Sequence, residues 1–260
     1  SLLRLTMNYF WEEITGKLNK LLRVHNTPIG MKCFHSVEEM SQVPKLRRPK
    51  HIHMPCQIIG QAIQCGFTIG FTPEDIVNHN CGATVGVDEQ DDEWREGQIF
   101  NGGWCADAQC ASRHHHALTS VSRPWAGIVC SPLSSGRLKE PDVCFITAAP
   151  GQIFMLLSGY VRGDYAPIQF PFIGESSCSM TWVKTMNTGE IGLALPCFAE
   201  TRFAGFSKDE VNLTMTPAQL VKALEGVEAL SKFGMRYPIP TYSAQTDARE
   251  GLGVSYEIKR

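Results

Sequence analysis

Pro55-Cys56-Gln57-Ile58 and Pro150-Gly151-Gln152-Ile153 share the form P-x-Q-I, and each opens an apolar pattern of helical period. Proline suits the first helical position, where its missing N–H has no partner to lose. The first pattern places Ile58, Ile59, Ala62 and Ile63 on one face and stops at Gly66; the second runs to Val161. Each is followed by a strand-like segment, a polar residue and a cysteine. Cys81 comes 26 residues after Pro55 and Cys178 comes 28 residues after Pro150. Upstream of each unit lies a strand-like run with its own cysteine, Cys33 and Cys130. The echo predicts an α/β fold of two pseudo-repeated halves, about residues 27–90 and 125–200, with mixed sheets and a cleft between them. A pseudo-twofold then brings Cys81 and Cys178 together.

Ser177-Cys178 and Asn80-Cys81 each read as an N-cap followed by the first helical residue. A thiol there sits at the positive end of the helix, beside N–H groups with no intrahelical partner. That favours the thiolate, the form that binds metal or attacks an electrophile. The sequence therefore points to a cysteine-centred site.

The rest of the chain reads as follows. Residues 2–24 form an amphipathic helix, stopped at Asn26-Thr27-Pro28. Strands are expected over 28–34, 67–71, 127–130, 142–147, 191–195 and 211–215, with an edge strand at 168–173 between Pro167 and Pro171. Thr72-Pro73-Glu74-Asp75 and Thr216-Pro217 are helix starts. The second begins the clearest helix, with Leu220, Val221, Leu224, Val227 and Leu230 on one face. Residues 88–105 read as a solvated acidic loop followed by a Gly/Trp segment. The stretch after Arg236, residues 236–260, reads as a tail packed on the surface or on a neighbouring subunit, and a homo-oligomer is expected.

With 260 residues, 24 basic against 26 acidic and a net charge of −2, the chain supports one large domain or two small ones and gives no sign of a nucleic-acid or anionic-membrane partner. The basic run Lys45–Lys50 is short and broken by Pro49. No apolar run is long enough for a transmembrane helix, and the first residues lack the apolar region and cleavage site of a signal peptide. A cytoplasmic protein is expected. Ten cysteines in a reducing compartment then suggest metal binding, catalysis or burial rather than disulfides. Cys33, Cys130 and Cys144 lie in apolar runs and read as core. Cys105, Cys110, His114, His115 and His116 offer soft ligands for zinc, yet three adjacent histidines on a helix cannot all face one point.

Several motifs resemble a known family: Pro28-Ile29-Gly30-Met31-Lys32, Cys56-Gln57, Cys81-Gly82-Ala83, Pro132-Leu133, Glu140-Pro141-Asp142-Val143, Pro150-x-Gln152, Ser177-Cys178, and Leu195-Pro196-Cys197 with Arg202. On these residues the chain resembles domain-of-unknown-function family 169, uncharacterised proteins common in archaea and anaerobic bacteria, from about residue 10 to 232. The resemblance implies a single family-like domain and carries no established mechanism. Phe198-Ala199-Glu200-Thr201-Arg202 departs from the family pattern, which has glycine and arginine sooner after the cysteine.

Four cysteines fall on matched positions: Cys56, Cys81, Cys178 and Cys197. Four thiolates are what a [4Fe–4S] cluster or a structural zinc needs. The anaerobic company of the resembling family favours an iron–sulfur cluster, with zinc as runner-up. Competing readings stay open. One is an enzyme with Cys178 as nucleophile and Arg202, Glu200 or a histidine beside it. Another is a small-molecule-binding or assembly subunit without metal. Neither the substrate nor a redox partner is legible.

Overall fold

The computed structural model describes residues 10–241 and 243–245. Strands β1 (Ile29–Phe34), β2 (Ile69–Phe71), β3 (Gly127–Pro132), β4 (Val143–Ala148), β5 (Gly192–Ala194) and β6 (Val211–Met215) form one open sheet in the order β2-β3-β1-β4-β6-β5. The helices are α1 (Trp11–Leu22), α2 (Val37–Ser41), α3 (Pro55–Cys65), α4 (His79–Thr84), α5 (Asp92–Glu96), α6 (Ala108–Ala117), α7 (Pro150–Val161), α8 (Lys184–Thr188), α9 (Phe198–Phe203) and α10 (Pro217–Lys232). A π-turn at Ser179–Val183 leads into α8.

β3 and β4 are buried at every position and read as continuous apolar runs, the pattern of strands covered on both faces. Alternation then sorts the side chains. Ile29, Met31, Val143 and Phe145 meet Ile58, Ile59 and Ala62 of α3 on one face. Cys144, Ile146, Ala148, Leu213 and Met215 meet α1, α7 and α10 on the other. The molecule is thus a sheet between two helical layers. α7 and α10 pack closely because Gly159 faces Gly226; a Cβ at position 226 would collide with the Gly159 carbonyl.

Several expectations are corrected. The sheets are not mixed: a single sheet is antiparallel at each strand pairing. β3, expected in the second half, pairs with β1 and β2 of the first. The two P-x-Q-I helices pack on opposite faces. A rotation that exchanges the antiparallel neighbours β1 and β3, the strands of Cys33 and Cys130, keeps each face on its own side, so it does not relate α3 to α7. The motif itself is a helix-start device. Gln57 Oε1 accepts the Met54 N–H at 3.0 Å, and Gln152 Oε1 accepts the Ala149 N–H at 2.8 Å. The same bond recurs a third time, where Gln219 Oε1 accepts the Thr216 N–H at 2.8 Å. Each supplies the N3-to-N-cap half of a capping box.

Residues 168–173 are irregular rather than an edge strand. The acidic segment folds into α5 and a short turn at Gln98–Phe100, and Trp94 is buried there against Ala83 and Leu118. Of the tail expected over 236–260, Tyr237 packs against the core beneath α7 and α10, and residues 242 and 246–260 lie outside the described residues. Among the described residues, no helix is long and apolar enough to cross a membrane.

Candidate functional site

A cavity of about 240 Å³ opens on the α3 side of the sheet, and Cys56, Cys81, Cys178 and Cys197 all line it. Each thiol arrives at the start of a helical segment. Cys56 follows Pro55 at the start of α3. Cys81 is the third residue of α4, and its N–H donates to Asn78 Oδ1 at 2.8 Å. Cys178 follows Ser177 in the helical turn that widens into the π-turn. Cys197 is the N-cap of α9. Two cap assignments change. Asn78, not Asn80, caps α4, and Ser177 does not spend its hydroxyl on a helix end but donates it to Glu200 Oε2 at 2.6 Å.

The π-turn is centred on Thr181 (φ −103°, ψ −105°), whose hydroxyl donates to the Ser177 carbonyl at 2.9 Å. Such turns interrupt the regular helical ladder and recur at functional sites. Gly60 brings α3 against the end of α9: a Cβ there would stand 2.5 Å from the Ala204 carbonyl. That approach places Cys56 beside Cys197.

Two carboxylates share the cavity. Glu200 is almost fully buried. Its Oε2 accepts the Ser177 hydroxyl, the Cys197 N–H at 2.9 Å and the Asn212 amide at 3.1 Å, which ties the site to β6. Burial nevertheless lifts its pKa to about 7, since desolvation outweighs these donors. Glu175 is only 7% exposed, and burial raises its pKa too, against the Cys197 thiol and the N–H groups of Ser176, Phe198 and Ala199 that face it. Its Oε1 has no hydrogen-bond partner.

Burial also raises all four thiols. Cys81 is pushed up to about 11, and Cys197 to about 12. Cys56 and Cys178 are raised as well, first by desolvation and then by Glu200 and by the other cavity cysteines. The helix-start expectation of a thiolate is therefore reversed: desolvation outweighs the helix end. Burial thus holds these cysteines toward the thiol form and opposes the thiolate at Cys178. Cys197, Cys56 and Cys81 all stand close enough to Cys178 to oppose its ionisation.

Arg202 does not join them. It is exposed, with its guanidinium 5.9 and 5.6 Å from the ring centroids of Phe198 and Phe203. The histidine block stands behind the cavity wall. His115 is buried, its Nε2 bonds Asn80 Oδ1 at 2.9 Å, and its ring lies against Trp94 and Phe100. His114 packs edge-on to Phe100. Cys105 and Cys110 lie beside one another, off the cavity. Of the remaining cysteines, Cys130 and Cys144 are core as expected, while Cys33 is half-buried with its Sγ 3.0 Å from Met186 Sδ.

Around the mouth stand Ile99, Phe100, Trp104, Phe198 and Phe203. Trp104 and Phe198 are each about half exposed and meet edge-on at 5.7 Å. Neither Glu175 nor Trp104 is legible as a site residue in the sequence. Among the described residues, no group of three or more His, Cys, Asp or Glu side chains is gathered to hold a single metal ion.

The family model of DUF169, described as uncharacterised ArCR, matches residues 17–226. No curated protein and no solved structure matches the chain.

Proposed function

The chain belongs to the DUF169 family, and we propose that its cavity holds an iron–sulfur cluster ligated by Cys56, Cys81, Cys178 and Cys197, in an anaerobic metabolism. The observation that carries this reading is the meeting of four cysteines, far apart in sequence, in one cavity. Four thiols are the complete ligand set of a [4Fe–4S] cluster. A closed zinc site needs its ligands within about 2.0–2.3 Å of one shared ion. A cluster interposes its own iron and sulfide and takes thiolates that stand further apart, which favours it over zinc where, among the described residues, no three such side chains gather about one ion.

When bound, such a cluster supplies one-electron transfer or a Lewis-acidic iron. The chain's own residues prepare the site. Loading requires the thiols to release protons, and burial with mutual repulsion keeps them protonated until a cation arrives. Glu200, with its pKa near neutrality, is placed among those thiols to take up a proton. Ser177, the Cys197 N–H and Asn212 fix its orientation.

Anaerobic purification, metal analysis and an ultraviolet–visible spectrum test the reading. The expected result is a brown protein absorbing near ~400 nm, with about four irons per chain, both lost in Cys178→Ala. A colourless protein with one zinc per chain would replace the cluster by zinc, and a metal-free protein would overturn both.

A further inference from the structure

A second cavity, of about 480 Å³, shares no lining residue with the first. Cys33, His35, Asp142 and Met186 stand on its wall. Cys33 lies near the end of β1 and Met186 lies in α8, 153 residues along the chain, yet the fold brings their sulfurs to 3.0 Å. That is closer than the roughly 3.5–4.0 Å at which the smaller carbon atoms settle in contact. The hydrogen bond between them is a poor reason for the approach, because a thiol is a weak donor and a thioether a weak acceptor. Both side chains are half-buried and both line the cavity, so a small ion can reach them. The backbone under the thiol is fixed from the other side of the turn, where Asp142 Oδ2 accepts the Cys33 N–H at 2.9 Å.

We infer that Cys33 Sγ and Met186 Sδ bind one Cu(I) ion at the wall of this second cavity. The donor set decides the ion. Thiolate and thioether are soft ligands, and together they select Cu(I) over harder cations. Calcium and magnesium take oxygen ligands. Zinc takes a fuller set of nitrogen, sulfur and oxygen donors. Asp142 and His35 share the cavity with Cys33, but among the described residues no three His, Cys, Asp or Glu side chains gather about one ion. On binding, the S–H bond of Cys33 breaks, its proton leaves to solvent through the cavity and an S–Cu bond forms. Copper stays monovalent, and nothing is oxidised or reduced. Thiolate plus a monovalent cation is neutral, so loading leaves no uncompensated charge on the half-buried pair. The sulfurs part around the ion by rotation of the Met186 side chain, which is unbranched and has three rotatable bonds. The inference is independent of the cluster reading.

Titration of the anaerobically purified protein, carrying isotopically labelled methionine methyl groups, tests it. Cu(I) is added against a bicinchoninate competitor, with Zn(II) as the control ion, and NMR spectra and bound metal are read. The Met186 methyl resonance, identified by its absence from Met186→Leu, is expected to move on saturation with Cu(I) and to stay in place with Zn(II). Cys33→Ser and Met186→Leu should each hold about one Cu(I) fewer per chain than the wild type, with unchanged iron content. The thiols of the first cavity can also take copper, so the readouts are this one methyl group and the difference between variants rather than total copper. A Met186 methyl that stays in place at saturation, one that moves equally with Zn(II), or variants that hold as much Cu(I) as the wild type would overturn the inference. Loss of iron together with copper in both variants would make the pair a support of the cluster site and overturn it as well. The methyl shift reads the same in protein without iron, which keeps failure of the cluster reading distinct from failure of this one.

Discussion

Desolvation governs the titratable groups of the cavity more strongly than their hydrogen bonds do. Glu200 accepts three donors on one oxygen and still has a pKa of about 7 against an ordinary 4.5. A folded-state pKa raised above the unfolded one contributes stability that is present below pH 4.5 and lost as pH climbs through 7. The shift corresponds to on the order of 3 kcal/mol. Glu200→Gln keeps an acceptor for the donors and cannot ionise. The stability difference, wild type minus Glu200→Gln, is therefore expected to fall by about that amount between pH 4.5 and 7 in urea titrations; a flat difference would contradict the burial argument. The thiols follow the same sign at higher pH: their contribution is intact below pH 9 and lost above it. It follows that metal-free protein at pH 7.5 should react with a thiol reagent first at the exposed Cys65. Cys65→Ser should remove the fast phase, whereas a fast phase persisting at Cys178 would restore the nucleophile reading. The sequence favours thiolates at these helix starts and burial opposes them, because a helix end is visible locally and desolvation is set by residues far along the chain.

Local signals govern the longer helices. Pro at the first position, Gln at the third and an apolar period made α3, α7 and α10 legible, and the three Gln-to-N-cap bonds explain why. The three positions are not equal in weight. Gln152 also donates its buried amide to the carbonyls of Leu22 and Arg23 at 2.8 and 2.9 Å, pinning α1 to α7. Gln152→Ala should cost roughly 2–4 kcal/mol and Gln57→Ala about 1 kcal/mol. Equal losses in denaturant melts would contradict the pinning role. Gly60→Ala should drive α3 from the end of α9, costing about 1–3 kcal/mol, and should lower metal loading by displacing Cys56 from Cys197. Loading unchanged in a folded variant would show that this approach does not set the site. Elements whose cause is tertiary escaped the sequence. The π-turn depends on Thr181 folding back on Ser177, and α9 depends on Glu200 being drawn into the cavity. Residues 168–173 have strand-like composition, but Pro167 and Pro171 remove two backbone donors and, among the described residues, no strand pairs with the segment.

On the scale of the molecule, one antiparallel sheet with a helical layer on each side replaces the expected mixed sheets. The class and most strands were legible because alternation and continuous apolar runs are local properties; strand order was not, since it depends on pairings more than 90 residues apart, such as β1 with β3. The four matched cysteines were legible as a set, and the fold brings them to one cavity wall. Glu175 was not, because only the surrounding tertiary structure makes its oxygen buried and unpartnered. The most direct test of the central claim, that these four thiols act together, is iron and acid-labile sulfide content across single Cys→Ser variants at 56, 81, 178 and 197, with Cys65→Ser and Cys144→Ser as controls, all purified anaerobically. The account predicts about four irons and four sulfides per chain in the wild type and both controls, and a marked loss in each of the four cavity variants. Iron absent from the wild type, or unchanged in the cavity variants, would contradict it.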